Sequence, residues 1–303
     1  MKPIFKNFII IFFLPLLLSR RLYFWHFADK SKLPGKEFAE YGFSVGWKLL
    51  FKAKLSPRLL LNPVSIVRYF EFDFAKKFSQ LKDGMKILDI SSPYLFGFYQ
   101  ASRFSLEYLY TNPDGKDLQN VNSLSQRLTF RSNYKTEQVN ALDIPYQEKY
   151  FDRIFSISVI EHILNDGDSL VMKELWRVLK PGGVFILTIP AKNKFEIEYK
   201  EKDEYNLHSG KKLDKYFFQR IYDKENIEER LLSSINNYEI ISIKVFGCTE
   251  KNFYPDYNKR WVNYSYWETT KDPYYISKIF TYFNDTANLV DIGVAGIAIR
   301  KLK

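Results

Sequence analysis

Two apolar segments separated by one helical pattern dominate the middle of the chain. Ile154–Val159 is a short, mostly apolar run, and Val184–Ile189 is a second run rich in branched and aromatic side chains. Between them, apolar residues recur at helical spacing from Leu170 to Leu179, and the pattern stops at Lys180–Gly183, which is Lys-Pro-Gly-Gly. A cation, a proline and two glycines form a strong signal for a helix end. The pattern predicts a strand, a helix and a parallel strand buried on both faces.

Further apolar runs extend this unit into an α/β domain. The pattern beyond Pro190 is less marked: Ala191–Lys215 is charged and predicts a loop, and Lys224–Ile235 predicts a helix. The runs that predict the first three strands and the last two are Lys86–Ile90, Leu106–Thr111, Val139–Asp143, Tyr238–Val245 and Val290–Ala298.

The segment between the last two strands, residues 246–289, is too long for a hairpin turn. The loops that follow parallel strands open at the carboxyl edge of the sheet, where ligands bind. We therefore expect this segment to project from that edge as a lid. It is rich in tyrosine, tryptophan, lysine and arginine, a mixture that suits a substrate pocket, a lipid surface or a glycan. The alternative is a small satellite core.

The most apolar segment of the chain, Phe8–Leu18, lies near its start. It is shorter than the roughly 20 apolar residues that a spanning helix needs. It also lacks the small-residue cleavage site of a signal peptide, because Arg20 and Arg21 follow it. Two interpretations stay open: a helix in the membrane interface, or a helix docked on the protein's own core. Together with the helical patterns that follow, it predicts a helical extension over residues 1–80.

Composition restricts the partners and cofactors. The net charge of +10 favours anionic lipid surfaces, phosphorylated or carboxylated substrates, or nucleic acid, although it is also consistent with compositional drift alone. A single cysteine, Cys248, excludes an intramolecular disulfide. The three histidines are His26, His162 and His208, which are too scattered for a structural zinc site. No metal is expected.

The central motifs resemble a known family. Phe151-Asp152, Val159–His162 and Leu175–Gly183, in this order and spacing, resemble the second half of a class I S-adenosylmethionine-dependent methyltransferase domain. The resemblance implies a Rossmann-like, seven-stranded, mostly parallel sheet with an antiparallel last strand, over residues 81–303. It implies S-adenosylmethionine as the cofactor. Because that donor is confined to the cytosol, we expect a cytoplasmic protein, with peripheral contact to the cytoplasmic membrane face as an option.

The glycine-rich turn of this family is altered here. Asp89 holds the acidic position after the first strand, whereas Ser91, Pro93 and Leu95 stand where glycines are expected. Ser92 and Pro93 nevertheless predict a helix start with a capping hydroxyl and a proline in the first turn. Such a helix N-terminus could hold the carboxylate of the donor. The resemblance therefore implies Asp89, Ser91 and Ser92 as donor contacts.

The other donor contacts implied by the resemblance lie after the next strands. Asn112 stands where an acidic residue binds the ribose hydroxyls, although Asn112–Gly115 is also a typical turn sequence. Asp143 would accept a hydrogen bond from the adenine amine, and Ile144 would pack on the ring. Ser156, on the fourth strand, completes the set.

Methyl transfer requires alignment, exclusion of water and, for a hydroxyl acceptor, a base. His162, just past the fourth strand, is the first candidate, and His208 on the next loop is the second; His162 could instead be a structural residue at a helix start. The expected acceptor is a small molecule, lipid or sugar. The alternatives are a noncatalytic binding protein of a membrane assembly and a nucleic-acid methyltransferase. The latter is disfavoured because no Asn-Pro-Pro-Tyr motif follows the fourth strand.

Overall fold

The computed structural model describes residues 3–203, 211–212 and 214–303. They form two compact units: unit 1 is Met1–Asp73 with Cys248–Thr281, and unit 2 is Phe74–Gly247 with Tyr282–Lys303. The expected division at residue 80 therefore differs from the observed one. The segment that was expected to be a lid on the sheet belongs to the same unit as the N-terminal helices.

The strands and helices are numbered in chain order. The strands are β1 (Lys86–Ile90), β2 (Glu107–Thr111), β3 (Asn133–Glu137), β4 (Phe151–Ile157), β5 (Leu179–Ala191), β6 (Glu196–Lys200), β7 (Lys211–Lys212), β8 (Lys215–Ile221), β9 (Tyr238–Cys248), β10 (Phe280–Phe283) and β11 (Gly293–Lys301). The helices are α1 (Pro3–Phe27), α2 (Lys36–Phe51), α3 (Pro57–Leu61), α4 (Arg68–Ser79), α5 (Tyr94–Arg103), α6 (Gly115–Ser125), α7 (Gly167–Val178), α8 (Lys224–Asn226), α9 (Phe253–Thr269) and α10 (Asp272–Ile279).

The main sheet has the order β10-β9-β11-β5-β4-β1-β2-β3. Strand β1 pairs in parallel with β2 on one side and with β4 on the other, and β4 pairs in parallel with β5. Strand β11 runs antiparallel to both β5 and β9. The predicted Rossmann-like, mostly parallel sheet with an antiparallel last strand is confirmed. Within the described residues the sheet has eight strands instead of seven, because β10 adds beside β9.

The order of the strands creates a binding crevice. The chain passes from β1 to β2 on one side and later reaches β4 on the other side. The carboxyl ends of β1 and β4 are therefore a topological switch point, where α/β sheets hold their ligands. These two strands and the turns that follow them carry five of the nine predicted site residues: Asp89, Ser91, Ser92, Ser156 and His162.

Side chains of the family motifs link β1, β4 and β5 near the amino ends of β1 and β4. Asp152 accepts a hydrogen bond from the backbone N–H of Lys86 at 2.8 Å and an ion-paired one from Lys180 Nζ at 2.7 Å. Gly182 adopts φ +79°, a left-handed conformation that other residues rarely take. The predicted helix end is confirmed within two residues, since α7 ends at Val178. The predicted strand start at Val184 was wrong, because β5 already begins at Leu179 and includes Lys180–Gly183.

Two predicted segments were wrong. The third strand is Asn133–Glu137 and not Val139–Asp143, which contains only an isolated bridge between Asn140 and Asp143. Strand β3 is a polar edge strand, so it lacks the apolar run of a buried strand. Ala191–Lys215 is not simply a loop: β6 and β7 both pair antiparallel with β8. This small sheet depends on pairing between distant residues, which a local pattern does not reveal.

Unit 1 is centred on the buried carboxyl group of Asp272. It accepts hydrogen bonds from Asn62 Nδ2 at 3.0 Å, from Tyr257 OH at 2.9 Å and from the backbone N–H of Ile66 at 3.3 Å. Burial raises the pKa of Asp272 well above its usual value. The N-terminal helices and the 248–281 segment therefore share one interior.

One face of α1 packs on other elements of unit 1. Leu17 and Arg21 are buried, and Arg20 Nε donates to the carbonyl of Trp267 at 3.0 Å while its guanidinium lies 4.0 Å from that ring. Docking on the protein's own helices is thus observed for this face. Among the described residues, none of the helices has the length and apolar character needed to cross a bilayer.

Candidate functional site

The turn after β1 keeps the backbone shape that the missing glycine would give it. Ser91 has φ +55°, which costs a residue with a side chain about 1–2 kcal/mol. The turn is held by its backbone N–H and Oγ, which both donate to the carbonyl of Thr111, at 2.7 and 3.1 Å. Ser91 is half-buried. The turn therefore reproduces the glycine conformation with a small polar residue.

Asp89 supports this turn from inside the domain. The buried carboxylate accepts from the Ser92 N–H at 3.1 Å and from Tyr108 OH at 2.6 Å. Burial raises the pKa of Asp89 to about 6, although the hydrogen bonds from Ser92 and Tyr108 act in the opposite direction. Tyr108 can approach because Gly97 faces it: a Cβ there would lie 3.0 Å from the tyrosine oxygen. Direct contact of Asp89 with the donor remains a prediction.

Ser92 has a different role from the predicted helix cap. Its fully buried Oγ accepts from the backbone N–H of Ile157 at 3.1 Å, which ties the turn to the end of β4. The residue that precedes α5 is Pro93, and it provides no side-chain cap. The predicted hydroxyl cap is therefore wrong. The N-terminus of α5 still follows the turn directly, with its partial positive charge.

The turn after β2 uses both amide atoms of Asn112. Oδ1 accepts from the Asp114 N–H at 2.8 Å, and Nδ2 donates to Asp117 at 2.9 Å. Asp114 in turn caps α6 by accepting from the Lys116 N–H at 2.8 Å. The turn interpretation of this segment is thus observed. A ribose contact by Asn112 stays a prediction and would have to use the remaining acceptor capacity of the amide.

The loop predicted to meet adenine is fixed by α7. The Ile144 N–H donates to Glu174 at 2.9 Å, and Arg177 donates to the carbonyls of Ile144 and Tyr146 at 3.0 and 2.9 Å. Ile144 is buried in the core, whereas Asp143 is exposed. Glu174 and Arg177 form an i,i+3 ion pair at 2.7 Å. Their sequence signal is this charge spacing at the start of the Leu175–Gly183 motif, with Glu174 directly before it and Arg177 within it.

Ser156 lies inside the sheet, on β4. It is fully buried, and its Oγ has no hydrogen-bond partner among the described residues. Buried hydroxyl groups normally have a partner from protein, water or a ligand. This orphaned atom, the left-handed Ser91 turn and the N-terminus of α5 all fit a ligand held at the carboxyl edge of β1 and β4.

His162 follows β4 at the same edge. Its Nδ1 lies 2.7 Å from the carbonyl oxygen of Phe218. Because a carbonyl only accepts, Nδ1 carries the proton in the neutral ring and Nε2 presents the lone pair. Nε2 lies 3.7 Å from a carboxylate oxygen of Glu161, which is buried. His162 is therefore anchored as a structural residue and is also in a tautomer that can accept a proton. His208 lies outside the described residues.

An ionic cluster holds the chain after His162. Asp168 is fully buried and accepts from Tyr222 OH at 2.8 Å and from Arg230 Nε and Nη2 at 2.9 and 2.8 Å. Arg220 lies 3.6 Å from the same carboxylate and donates to the carbonyl of Ile163 at 2.6 Å. Burial acts to raise the pKa of Asp168, but the two arginines lower it below its usual value. The cluster fixes β8 against the loop that carries His162.

Residues 95–187, from α5 into β5, match the family model described as a methyltransferase domain. This segment of the chain is similar to methyltransferase domains. The match includes β4, His162 and α7, and it confirms the predicted resemblance to a methyltransferase domain. No curated protein sequence matches the chain.

Solved structures agree on the fold of the methyltransferase domain. Coclaurine N-methyltransferase bound to N-methylheliamine and SAH is 11% identical with a TM-score of 0.51, over 76% of this chain and 69% of that chain. A putative sarcosine dimethylglycine methyltransferase from Galdieria sulphuraria is 14% identical with a TM-score of 0.49, over 77% and 85%. Phosphoethanolamine N-methyltransferase 2 from Haemonchus contortus is 18% identical with a TM-score of 0.46, over 77% and 52%.

Proposed function

We propose that the methyltransferase domain transfers a methyl group from S-adenosylmethionine to a small-molecule, lipid or sugar acceptor, with His162 as the general base. The observation that carries the proposal is the position of His162. It follows β4, and the Ser91 turn follows β1, which pairs in parallel with β4. A donor-binding turn and a base-competent imidazole thus lie at the same edge of neighbouring strands.

The donor would be held by residues of three turns. Ser91 leaves room over the first turn, and the N-terminus of α5 favours a carboxylate. Asn112 would meet the ribose, and Asp143 with Ile144 would meet the adenine. Bound S-adenosylmethionine supplies an electrophilic methyl group. These residues contribute alignment, which is the larger part of what a displacement reaction needs from a protein.

His162 would remove the acceptor proton. Its Nε2 takes the proton of an acceptor hydroxyl or amine, while the carbonyl of Phe218 keeps the ring oriented through Nδ1. Glu161, 3.7 Å from Nε2, is placed to stabilise the resulting imidazolium. A buried carboxylate beside a histidine strengthens its basicity because it favours the charged ring.

The noncatalytic alternative has one observation in its favour. Leu95 occupies a position where the family has glycine, and it is buried. That alternative predicts no donor binding at all. A nucleic-acid acceptor is disfavoured by charge, because unit 2 contains 28 Lys and Arg residues against 26 Asp and Glu residues. Nucleic-acid enzymes normally concentrate positive charge around the site.

The experiment combines donor affinity with turnover. The full-length protein is titrated with S-adenosylhomocysteine, and release of that product from S-adenosylmethionine is then measured with pools of amine-headgroup phospholipids, amino sugars and small amines. We expect His162→Gln to reduce turnover about 10²–10⁴-fold with unchanged affinity for S-adenosylhomocysteine. His26→Gln is the matched control, because His26 is an exposed histidine of α1, and it should retain activity.

Two results would contradict this proposal. Absence of product affinity in the wild-type protein would establish the noncatalytic alternative. Full turnover in His162→Gln, with a soluble acceptor, would remove the general-base role.

A further inference from the structure

The excess positive charge of the chain is concentrated in unit 1. This unit contains 17 Lys and Arg residues and 9 Asp and Glu residues, so it carries a net formal charge of +8 out of the +10 of the whole chain. Compositional drift would spread the charge over both units. The asymmetry instead indicates an anionic partner for unit 1.

The face of α1 opposite its docked side exposes a stripe of large apolar residues. Phe12, Leu16, Tyr23 and Phe27 are 78%, 52%, 58% and 53% exposed. Their spacing of four, seven and four residues places them on one side of the helix. The opposite side contains the buried Leu17. The stripe is therefore a continuous exposed surface and not a set of scattered residues.

Another exposed aromatic residue, Phe51, lies among cations at the end of α2. Phe51 is 85% exposed, and the neighbouring Lys48, Lys52, Lys54 and Arg58 are all exposed. A large aromatic side chain surrounded by cations is unusual on a surface that meets only water. It is typical of a surface that meets lipid headgroups and the upper acyl region together.

The two exposed sets belong to one region of unit 1. Leu14 and Leu18 of α1 pack on the same apolar cluster, around Leu17, Leu60 and Leu61, as do Leu50 and Leu55. Leu50 and Leu55 flank the Phe51–Lys54 segment in the sequence. The part of α1 that carries Phe12 and Leu16 and the basic end of α2 are thus joined through one cluster, with the stripe on the outer side of α1.

We propose that this region, Phe12, Leu16 and Phe51 with Lys48, Lys52, Lys54 and Arg58, docks unit 1 on an anionic membrane surface. The rings and the leucine enter the interface, and the cations meet anionic headgroups. Each cation near such a surface strengthens binding by about 1 kcal/mol, or about fivefold. Two signals of moderate strength give stable peripheral binding. The inference does not depend on methyl transfer.

The test is co-sedimentation of the full-length protein with vesicles. One set is phosphatidylcholine alone, and the other contains about one-third phosphatidylglycerol. We expect binding to the anionic set that weakens at least tenfold when ionic strength rises from about 0.1 M to about 1 M, where the Debye length falls from about 10 Å to about 3 Å.

Matched variants distinguish binding through this surface from nonspecific adsorption and from an effect of net charge alone. Lys48→Glu with Lys52→Glu should lower the partition coefficient at least tenfold, whereas the same reversals at exposed Lys173 and Lys244 of unit 2 should change it less than threefold.

A second pair of variants tests the apolar part. Phe12→Ser, Leu16→Ser and Phe51→Ser together should also lower binding at least tenfold. The control is the triple variant Ile240→Ser, Ile243→Ser and Tyr282→Ser, because these residues are large, apolar and exposed in unit 2, although less exposed than the test residues. Thermal unfolding of every variant confirms that the fold is intact.

Three outcomes would overturn the proposal: no sedimentation with anionic vesicles, equal loss in the test and control variants, or a concentration-dependent dimer that the apolar variants abolish without any lipid binding. The last would show that the stripe is covered by a second copy of the chain.

Discussion

Two parts of unit 2 are each held by a buried carboxyl group and a tyrosine hydroxyl, yet only one of them has cations beside it. At the turn after β1, Tyr108 donates to Asp89 at 2.6 Å, and burial raises the pKa of Asp89 to about 6. At the start of α7, Tyr222 donates to Asp168 at 2.8 Å. There burial is outweighed by Arg230 and Arg220, so the pKa of Asp168 lies below its usual value.

The opposite pKa shifts of Asp89 and Asp168 predict opposite effects of pH on the stability of the fold. The folded pKa of Asp168 is depressed, so its stabilising effect is present above the unfolded pKa of about 3.8 and is lost as pH falls. The folded pKa of Asp89 is raised, so the folded state becomes less stable as pH rises from about 4 to about 6. The Asp168 cluster is thus held by ions, and the turn after β1 is held by hydrogen bonds that respond between about pH 4 and about pH 6.

Removing the anion from the ionic cluster should have the largest effect. Asp168→Ala leaves Arg220 and Arg230 without their buried partner, and breaking such a pair costs about 3–5 kcal/mol. Urea unfolding at neutral pH measures the loss. Asp166→Ala is the control, because Asp166 is 80% exposed and pairs only with Arg230, at 3.1 Å, among the described ion pairs; it should cost less than about 1 kcal/mol. Equal losses in the two variants would contradict the role of the cluster.

The effect of pH on the turn after β1 should be somewhat smaller than the effect of removing Asp168. The Asp89→Asn variant lacks this titratable group. The free energy of unfolding of the variant minus that of the wild type should therefore rise by about 3 kcal/mol between about pH 4 and about pH 7.5, at 1.36 kcal/mol for each unit of pKa difference. Urea unfolding at the two pH values gives this difference. Asp83→Asn, at an exposed site, should show no such trend. A relative stability that is constant with pH would refute the raised pKa of Asp89.

Asp143 should differ from Asp89 and Asp168, because its replacement should weaken donor binding without changing the stability of the fold. Asp143→Ala removes an exposed side chain, so the unfolding temperature should not change, while the affinity for S-adenosylhomocysteine should fall by about 1–3 kcal/mol. Calorimetric titration measures it. Glu148→Ala, an exposed carboxylate in the same loop, should leave the affinity unchanged. Normal affinity in Asp143→Ala would remove the adenine contact.

The fold was predictable where local patterns and burial coincide. Ile154–Ile157 of the first predicted run and Val184–Ile189 are buried strand segments, so their apolar residues are visible in the local sequence without knowledge of the neighbouring strands. Strand β3 and the small sheet around β8 are polar or half-exposed, and only pairing with distant residues makes them strands. Unit 1 was not foreseen for the same reason: Asn62 and Asp272 are 210 residues apart in the chain.

The candidate site was likewise predictable only where local sequence patterns point to it. The motif pattern identified His162 and the Ser91 turn because both follow strands that the pattern predicts. Tyr108 and Arg177 were missed, since their importance comes from the groups they meet across the fold, the Asp89 carboxylate and the Ile144 carbonyl. Ser92 was assigned a cap on local grounds, whereas a contact with Ile157, on a strand 65 residues away, takes its hydroxyl.

The central claim is that the donor lies over a serine turn that keeps a glycine conformation, and calorimetric titration of S-adenosylhomocysteine into three proteins tests it most directly. Ser91→Gly accepts φ +55° without strain, so it should bind at least as tightly as the wild type. Ser91→Phe should fold with a nearly unchanged thermal transition and show no binding. Normal affinity in a folded Ser91→Phe protein would contradict the account, because a phenyl ring on that turn and a bound donor cannot occupy the same space.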